Sequence, residues 1–162
     1  MTAPILDVQD LSIGFSGRRG QPALQIVRDV SFRIERGERV GLVGESGCGK
    51  SVTGLSLMRL LPDTARIGGR IALDGVDMAS ASRAEVRRMR GKKIAMIFQE
   101  PMSALDPVFT VGEQIGEALR LHESLPRAEE RDRVIAALAE VGIPAPEKRY
   151  GEYPHQLSGG MR

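Results

Sequence analysis

The chain has 162 residues, which favours one domain that buries about 70% of its unfolded surface in a single core. Hydrophobic residues make up 41% and charged residues 27%, so a low-complexity or collagen-like chain is excluded. The net charge is only +2, and the chain has 4 Phe, 2 Tyr and no Trp. A weak charge and few aromatic rings argue against nucleic acid as the partner.

Cysteine content and apolar runs bear on the compartment. The single cysteine, Cys48, can form no intramolecular disulfide, which fits a reducing cytoplasm. The N-terminus lacks a basic segment followed by an apolar one, and the longest apolar runs, 94–98 and 134–139, are far shorter than the ~20 residues of a membrane span. We therefore expect a protein that is neither exported nor membrane-spanning by itself.

The first third of the chain carries strand signals. Apolar alternation predicts a strand over 6–15, with one irregularity, and a second strand over 26–34 after a turn containing Gly and Pro. A compact apolar run at 39–43 predicts a fully buried central strand, because both of its faces are apolar. The run leads into a glycine loop, and helical spacing then predicts a helix from Val52 that Pro62 ends.

Sheet and helix signals continue along the rest of the chain. The patterns predict, in order, a strand over 70–73, a tight turn at Asp74 and Gly75, a helix over 82–90, a strand over 94–98, and helices over 111–122 and 127–141. Pro144 and Pro146 end the last helix. These elements predict an α/β fold in which helices follow a sheet.

The segment 44–51 reads GESGCGKS, the pattern GxxxxGKS, between a predicted strand and a predicted helix. Glycines let the backbone N–H groups surround a phosphate at a helix N-terminus, whose dipole favours an anion. In this pattern Lys50 reaches the β- and γ-phosphates and the Ser51 hydroxyl coordinates Mg²⁺. We predict a site for a nucleoside triphosphate with Mg²⁺ at Gly44, Glu45, Ser46, Gly47, Cys48, Gly49, Lys50, Ser51 and Val52.

Two alternatives stay open in this loop. A glycine-rich turn can simply join a strand to a helix, with no ligand. Cys48 lies close to Lys50 and to a helix N-terminus, which favour a reactive thiolate. Alternatively, Cys48 is a small residue of which only the backbone N–H matters.

Two downstream segments separate this chain from other classes with such a loop. FQEPMSALDP contains Gln99 directly after a predicted strand, and YPHQLSGGM lies near the end of the sequence. Together with GESGCGKS they resemble the ATP-binding cassette (ABC) family, in which a Walker A loop, a Q-loop and an LSGGQ-like signature occur in this order. The resemblance covers essentially the whole chain. The sequences of these motifs look most like those of the ATPase subunits of oligopeptide, dipeptide and nickel importers.

The resemblance implies roles for individual residues. Gln99 is the Q-loop residue, which contacts Mg²⁺ and senses the γ-phosphate, so Lys50 and Gln99 are the implied catalytic residues. Phe15 matches an aromatic position that stacks on adenine, while a core role on its strand is an equal alternative. The signature contacts ATP held by the opposite subunit, and Met161 in it replaces the more usual Gln. Its residues are Leu157, Ser158, Gly159, Gly160 and Met161.

The resemblance also implies a fold and partners. The fold is an α/β P-loop NTPase domain of the ABC type, truncated at its C-terminus, with N-terminal antiparallel strands and a helical subdomain. We expect the β-subdomain and P-loop core through the Q-loop over 1–110 and the helical subdomain over 111–162. The implied activity is ATP hydrolysis coupled to import of di- or oligopeptides. The implied partners are a second ATPase subunit, identical or paralogous, transmembrane permease subunits at the inner face of the membrane and, indirectly, an extracytoplasmic solute-binding protein.

Several catalytic motifs of the family come after the signature. These are the Walker B aspartate, the catalytic glutamate, the D-loop and the switch histidine, and the sequence ends at Arg162. Asp74 and Glu100 do not match the missing carboxylates, and His122 and His155 do not match the switch position. We therefore expect these 162 residues alone to hydrolyse ATP poorly and to be prone to aggregation. The alternatives are a non-catalytic nucleotide-binding fragment and a soluble ABC ATPase that acts on DNA.

A basic cluster accompanies the helix predicted over 82–90. We interpret it as a solvated helix face, with nucleic acid or anionic lipid as the alternative partner. Its members are Arg83, Arg87, Arg88, Arg90, Lys92 and Lys93.

Overall fold

The computed structural model describes residues 3–16, 24–98 and 105–161. Four strands form one sheet in the order β2-β1-β3-β4, and every neighbouring pair is antiparallel. The strands are β1 (Leu6–Phe15), β2 (Leu24–Ile34), β3 (Ala65–Leu73) and β4 (Val76–Asp77). The helices are α1 (Lys50–Leu57), α2 (Arg83–Met89), α3 (Val111–Arg120), α4 (Arg127–Glu140) and α5 (Pro146–Tyr150), followed by 3₁₀ turns at Pro154–Gln156 and Gly159–Met161. The chain divides between Ile94 and Ala95 into two compact units.

The irregularity predicted in the first strand is a bulge. The pairing register of β1 shifts between Val8 and Leu11, where Asp10 adopts a φ of 50° and donates its N–H to Ser31 Oγ at 2.8 Å. On β3, Gly69 passes so close that a Cβ there would lie 2.4 Å from the Asp10 carbonyl oxygen. The extra residue keeps the apolar side chains before and after it on the core face. The predicted strand over 6–15 is therefore confirmed, although its register against β2 shifts twice more, between Leu11 and Ile13 and between Ile13 and Gly14.

The core of the first unit lies against this sheet. Leu11, Ile13 and Met78 are fully buried, and Val86 and Met89 of α2 join them. The predicted antiparallel pair, the strand ending at residue 73 and the two helices of this unit are confirmed, although α1 already ends at Leu57. Asp74 and Gly75 have φ values of 48° and 80°, so the predicted tight turn joins β3 to β4 as a hairpin of type I′ character.

Two predicted strands are wrong. Residues 39–43 and 95–98 have no strand assignment, and the single bridge at Ile94 pairs it with Arg90. Val43 is 89% exposed and Ile97 is 98% exposed, instead of buried. A strand that is apolar on both faces is buried only when neighbouring strands and helices cover it. The described residues supply no such neighbours, so the apolar pattern alone was not enough to predict a strand in these two segments.

The second unit contains the two helices that were predicted over 111–122 and 127–141. Its core consists of Val111 on α3, Val134 and Leu138 on α4, and Leu157 beyond α5. Two glycines of α3 allow the helices to approach: a Cβ at Gly112 would lie 2.6 Å from the Tyr150 ring, and one at Gly116 would lie 2.5 Å from Glu130 Oε1. The buried Glu130 carboxylate accepts a hydrogen bond from Arg120 at 2.5 Å. None of the helices described has the length and apolarity needed to cross a membrane.

Candidate nucleotide-binding site

The phosphate loop of the first unit has a backbone that only glycine adopts easily. Gly47 and Gly49 have φ values of 83° and 97°, in the left-handed region where a Cβ is strained. At Gly49 a Cβ would also lie 3.1 Å from Val27 Cγ2 on β2. The loop therefore packs its last glycine against the sheet and turns directly into α1.

Lys50 folds back over this loop. Its ammonium donates to the carbonyl oxygens of Gly44 and Glu45, both at 2.7 Å, and approaches Cys48 Sγ at 3.6 Å. These partners are uncharged, so they hold the ammonium at the loop without neutralising it with a carboxylate. A positive charge thus stands within the turn of the loop.

The N-terminus of α1 adds further donors. Gly49 is the N-cap, and no side chain of the described chain caps the helix. The first N–H groups of a helix have no partner within the helix, so those of Lys50, Ser51 and Val52 depend on groups outside it. An anion at this point would accept them and would interact favourably with the helix dipole. The loop, the ammonium and the helix start therefore favour the same ligand, a phosphate.

The residues present fit a magnesium ion held mainly by its nucleotide. In the described residues, no three His, Cys, Asp or Glu side chains lie close enough together to hold a metal ion. Mg²⁺ is usually bound by few protein groups, together with phosphate oxygens and water. Ser51 is exposed in the first turn of α1, where its hydroxyl is accessible to such a ligand. Gln99, the other predicted ligand, lies outside the described residues, as does Glu100.

The signature segment belongs to the second unit. Leu157 is buried in its core, and Met161 packs partly against that core. Ser158, Gly159 and Gly160 are exposed, and a Cβ at either glycine would meet nothing within 4 Å. Contacts with the described part of the chain therefore give no steric reason for the two glycines.

The remaining candidates lie as follows. Phe15 is the last residue of β1, half-buried against the core of the first unit. Asp74 forms ion pairs with Lys93, at 2.7 Å, and with Arg36. Hydrogen bonds from Lys93 and then Arg36 hold the pKa of Asp74 below its usual value. Asp74 is therefore engaged in ion pairs at the hairpin. His155 stacks on Tyr153, with the two ring centroids 5.7 Å apart.

Comparison with known proteins assigns the chain to a family. A sequence model described as ABC transporter matches residues 27–162. The chain belongs to the ABC transporter family. It is 46% identical over 160 residues to the probable peptide ABC transporter ATP-binding protein y4tR of Sinorhizobium fredii, and 48% identical over 160 residues to the dipeptide transport ATP-binding protein DppD of Bacillus subtilis. Each match covers 98% of this chain and 47% of the relative. The chain thus spans about half the length of these curated relatives.

Solved structures of ABC cassettes share the fold. The ATP-binding cassette MJ0796, in a dimeric post-hydrolysis state bound to ADP and Pi, aligns with a TM-score of 0.79 at 24% identity, over 96% of this chain and 64% of its own. The cassette cbiO1 of Clostridium perfringens aligns with a TM-score of 0.70 at 27% identity, over 98% of this chain and 57% of its own. The predicted fold class, an α/β ABC-type domain with N-terminal antiparallel strands and a helical part, is confirmed.

Sequence reasoning missed some groups at this site. The carbonyl oxygens of Gly44 and Glu45 accept hydrogen bonds from Lys50. Every residue has a backbone carbonyl, so residue types do not reveal which carbonyls act as acceptors. A Cβ at Gly44 would lie 2.6 Å from Cys48 Sγ, so Gly44 also makes room for the Cys48 side chain. The pairing of a small residue with its neighbour across a loop becomes visible only once the loop is folded.

Proposed function

We propose that this chain is the nucleotide-binding part of an ABC subunit that couples ATP hydrolysis to the import of peptides. The observation that supports it most directly is the phosphate loop, where the Lys50 ammonium lies 2.7 Å from two carbonyl oxygens next to an uncapped helix start. The two curated relatives named above are peptide and dipeptide transport proteins, which favours import over an activity on DNA.

The chain's own residues would act on the nucleotide mainly by position and charge. Loop N–H groups and Lys50 bind the β- and γ-phosphates and stabilise the negative charge that spreads during transfer. Ser51, and Gln99 by the resemblance, would hold Mg²⁺, which neutralises charge on the phosphate oxygens when bound. Phe15 is proposed to contact the base, since its ring is only half-buried at the end of β1.

We further propose that the signature completes the site of a second cassette. Ser158, Gly159 and Gly160 are exposed, and the open space at both glycines leaves room for a phosphate to approach the backbone. Hydrolysis would then be an activity of the paired subunits, identical or paralogous. This proposal also gives a reason for two glycines whose neighbours among the described residues give none.

The permease contact is proposed for the segment before α3. Val108 and Phe109 are exposed apolar side chains in this segment, which follows the Q-loop motif. Exposed apolar groups of this kind mark surfaces that bind another protein. The subunit would then lie at the inner face of the membrane, bound to transmembrane subunits and only indirectly linked to a solute-binding protein.

Titration with MgATP tests the central proposal. Lys50→Ala removes the ammonium from the loop, and we expect MgATP affinity to fall at least about tenfold, because a charge-assisted contact to phosphate is lost. Lys92→Ala is the matched control, since Lys92 is an exposed lysine outside the loop. Equal affinity of the Lys50 variant and the control would overturn the assignment.

A further inference from the structure

A second cationic site lies in the first unit, apart from the phosphate loop. It is a cleft of about 560 Å³ between the end of α1, the start of β3 and one face of α2. Among the described residues that line it, four are arginines and only Asp63 carries a negative charge. The arginines are Arg59, Arg83, Arg87 and Arg90. This cleft shares no residue with 44–51.

Backbone carbonyls fix two of these arginines. Arg90 donates from Nε to the Met58 oxygen at 2.9 Å and from Nη2 to the Arg59 oxygen at 2.7 Å. Arg59 donates from Nη1 to the Ala81 oxygen at 2.6 Å and to the Met78 oxygen at 3.2 Å. Neutral acceptors set the position of a guanidinium without cancelling its charge. Both groups are therefore held in place and keep their charge.

The other two arginines lie one helical turn apart on α2. Arg83 and Arg87 are exposed and line the same cleft, and like charges at this spacing destabilise a helix. Glu85 beside them is engaged in the capping box at Ser82. In the described parts of the chain, none of the four cleft arginines forms an ion pair with a carboxylate. Lys93, by contrast, is paired with Asp74.

We infer that this cleft binds a small anion that carries several phosphate-type negative charges. Guanidinium groups match phosphate oxygens by paired hydrogen bonds. Two of the four are already fixed by backbone carbonyls, which engage only part of their N–H groups and leave the others as donors for a ligand. The volume of about 560 Å³ is that of a small-molecule site, which is concave and so encloses a ligand better than a flat helix face does. Leu61 and Ile67 add apolar wall that suits an organic part of the same ligand.

The test uses inorganic pyrophosphate and the full chain carrying Lys50→Ala, so that the phosphate loop contributes little. Calorimetry should detect one remaining site, and adding Arg83→Ala and Arg87→Ala together should weaken it at least tenfold. Arg88→Ala is the matched control, because Arg88 is an exposed arginine of α2 that does not line the cleft; it should change the affinity less than twofold. Both cleft substitutions are at exposed positions, and circular dichroism melts verify that the variants fold.

Two results would overturn the inference. Pyrophosphate binding that disappears with Lys50→Ala alone would assign all of it to the phosphate loop. Binding that survives the Arg83 and Arg87 substitutions unchanged would place it elsewhere. Failure of the proposed nucleotide site is distinguishable, because it concerns MgATP binding by the chain with Lys50 intact.

A vesicle-binding experiment distinguishes a lipid headgroup from a free anion as the source of the phosphate. Vesicles of phosphatidylglycerol are compared with vesicles of phosphatidylcholine. Retention on the anionic vesicles that depends on Arg83 and Arg87 identifies a lipid headgroup, and pyrophosphate binding without retention identifies a free anion. In either case, binding should weaken as salt rises, since it rests on charge.

Discussion

At the scale of single residues, two glycines of the predicted sites have different steric surroundings. Gly49 has a φ of 97° and would place a Cβ 3.1 Å from Val27 Cγ2, so the fold itself requires glycine there. Gly160 lies outside the left-handed region and would place a Cβ in open space. The fold thus explains the first glycine, whereas the described residues give no steric reason for the second, which we propose serves an approaching ligand.

This difference predicts unequal losses of stability for two alanine substitutions. Gly49→Ala should lower the free energy of unfolding by about 1–3 kcal/mol, because it adds backbone strain and a close contact. Gly160→Ala should change it by less than about 0.5 kcal/mol. Urea denaturation of both variants measures this. Equal losses of stability would contradict the proposed distinction.

The hairpin carboxylate predicts a dependence on pH. The pKa of Asp74 is lowered in the folded chain, chiefly by the hydrogen bond from Lys93 and then by that from Arg36, so its stabilisation is present above its ordinary pKa of about 3.8. That stabilisation is lost as the pH falls through the lower folded value. The melting temperature of Asp74→Asn should therefore lie below that of the unaltered chain at pH 6 and converge with it below pH ~3.8.

Asp132→Asn serves as the control for this pH series. Asp132 is exposed on α4 and has no ion pair among the described residues. The melting temperature of this variant should follow that of the unaltered chain at every pH. A constant gap between Asp74→Asn and the unaltered chain across the series would refute the assignment.

At the scale of elements, helix starts are well specified. Ser82 with Glu85 and Thr110 with Glu113 form capping boxes, in which each side chain satisfies a backbone N–H of the other residue. Hydrogen bonds from the Ser82 hydroxyl and then the Ser82 N–H lower the pKa of Glu85, and those from the Thr110 N–H and then the Thr110 hydroxyl lower the pKa of Glu113. Local sequence therefore sets where α2 and α3 begin, which is why the starts predicted at 82 and 111 lie within one residue of the observed ones.

Loss of one helix cap should lower the free energy of unfolding by a measurable amount. Thr110→Ala removes the side-chain acceptor for the Glu113 N–H and should lower the free energy of unfolding by about 1 kcal/mol. Ser124→Ala, at an exposed loop position, should leave it within about 0.5 kcal/mol. Chemical denaturation compares the two. A loss at Ser124 as large as at Thr110 would contradict the capping argument.

At the scale of the whole molecule, apolar side chains stand exposed in both units. Val40, Leu42 and Val43 lie before the phosphate loop, and Ile97 and Phe98 lie at the start of the second unit. Exposed apolar segments with unpaired backbone groups promote association between chains. The expectation that these 162 residues alone aggregate therefore has a structural basis in these two segments.

Light scattering after gel filtration measures this association. We expect the 162-residue chain to form oligomers at micromolar concentration. The double variant Val43→Lys and Ile97→Lys should contain a larger fraction of monomer, because the added charges oppose apolar contact between chains. Leu121→Lys, also at an exposed position but outside both segments, is the control and should shift it less. A monomeric unaltered chain would contradict the prediction.

Elements with local signals were predicted correctly from sequence. The bulged strand β1 follows from its shifted alternation, the β3–β4 hairpin from Asp74 and Gly75, and helices α3 and α4 from apolar spacing. The short helix α5 was not predicted, since Pro146 was expected to end a helix and instead begins one. The runs 39–43 and 94–98 were predicted wrongly as strands. Their apolar residues indicate a capacity for burial, but burial depends on neighbouring strands that the described residues do not supply.

The sequence by itself determined the family, through GESGCGKS and LSGGM in order, because a phosphate loop and a signature each need particular residues at fixed spacing. It also determined where α2, α3 and α4 start, since caps and apolar spacing act locally. Only the tertiary structure decided that Lys50 rests on the carbonyls of Gly44 and Glu45, and that Arg59 and Arg90 meet Arg83 and Arg87 in one cleft. Such contacts depend on how segments that are separate in sequence fold together, so they cannot be predicted from residue types alone.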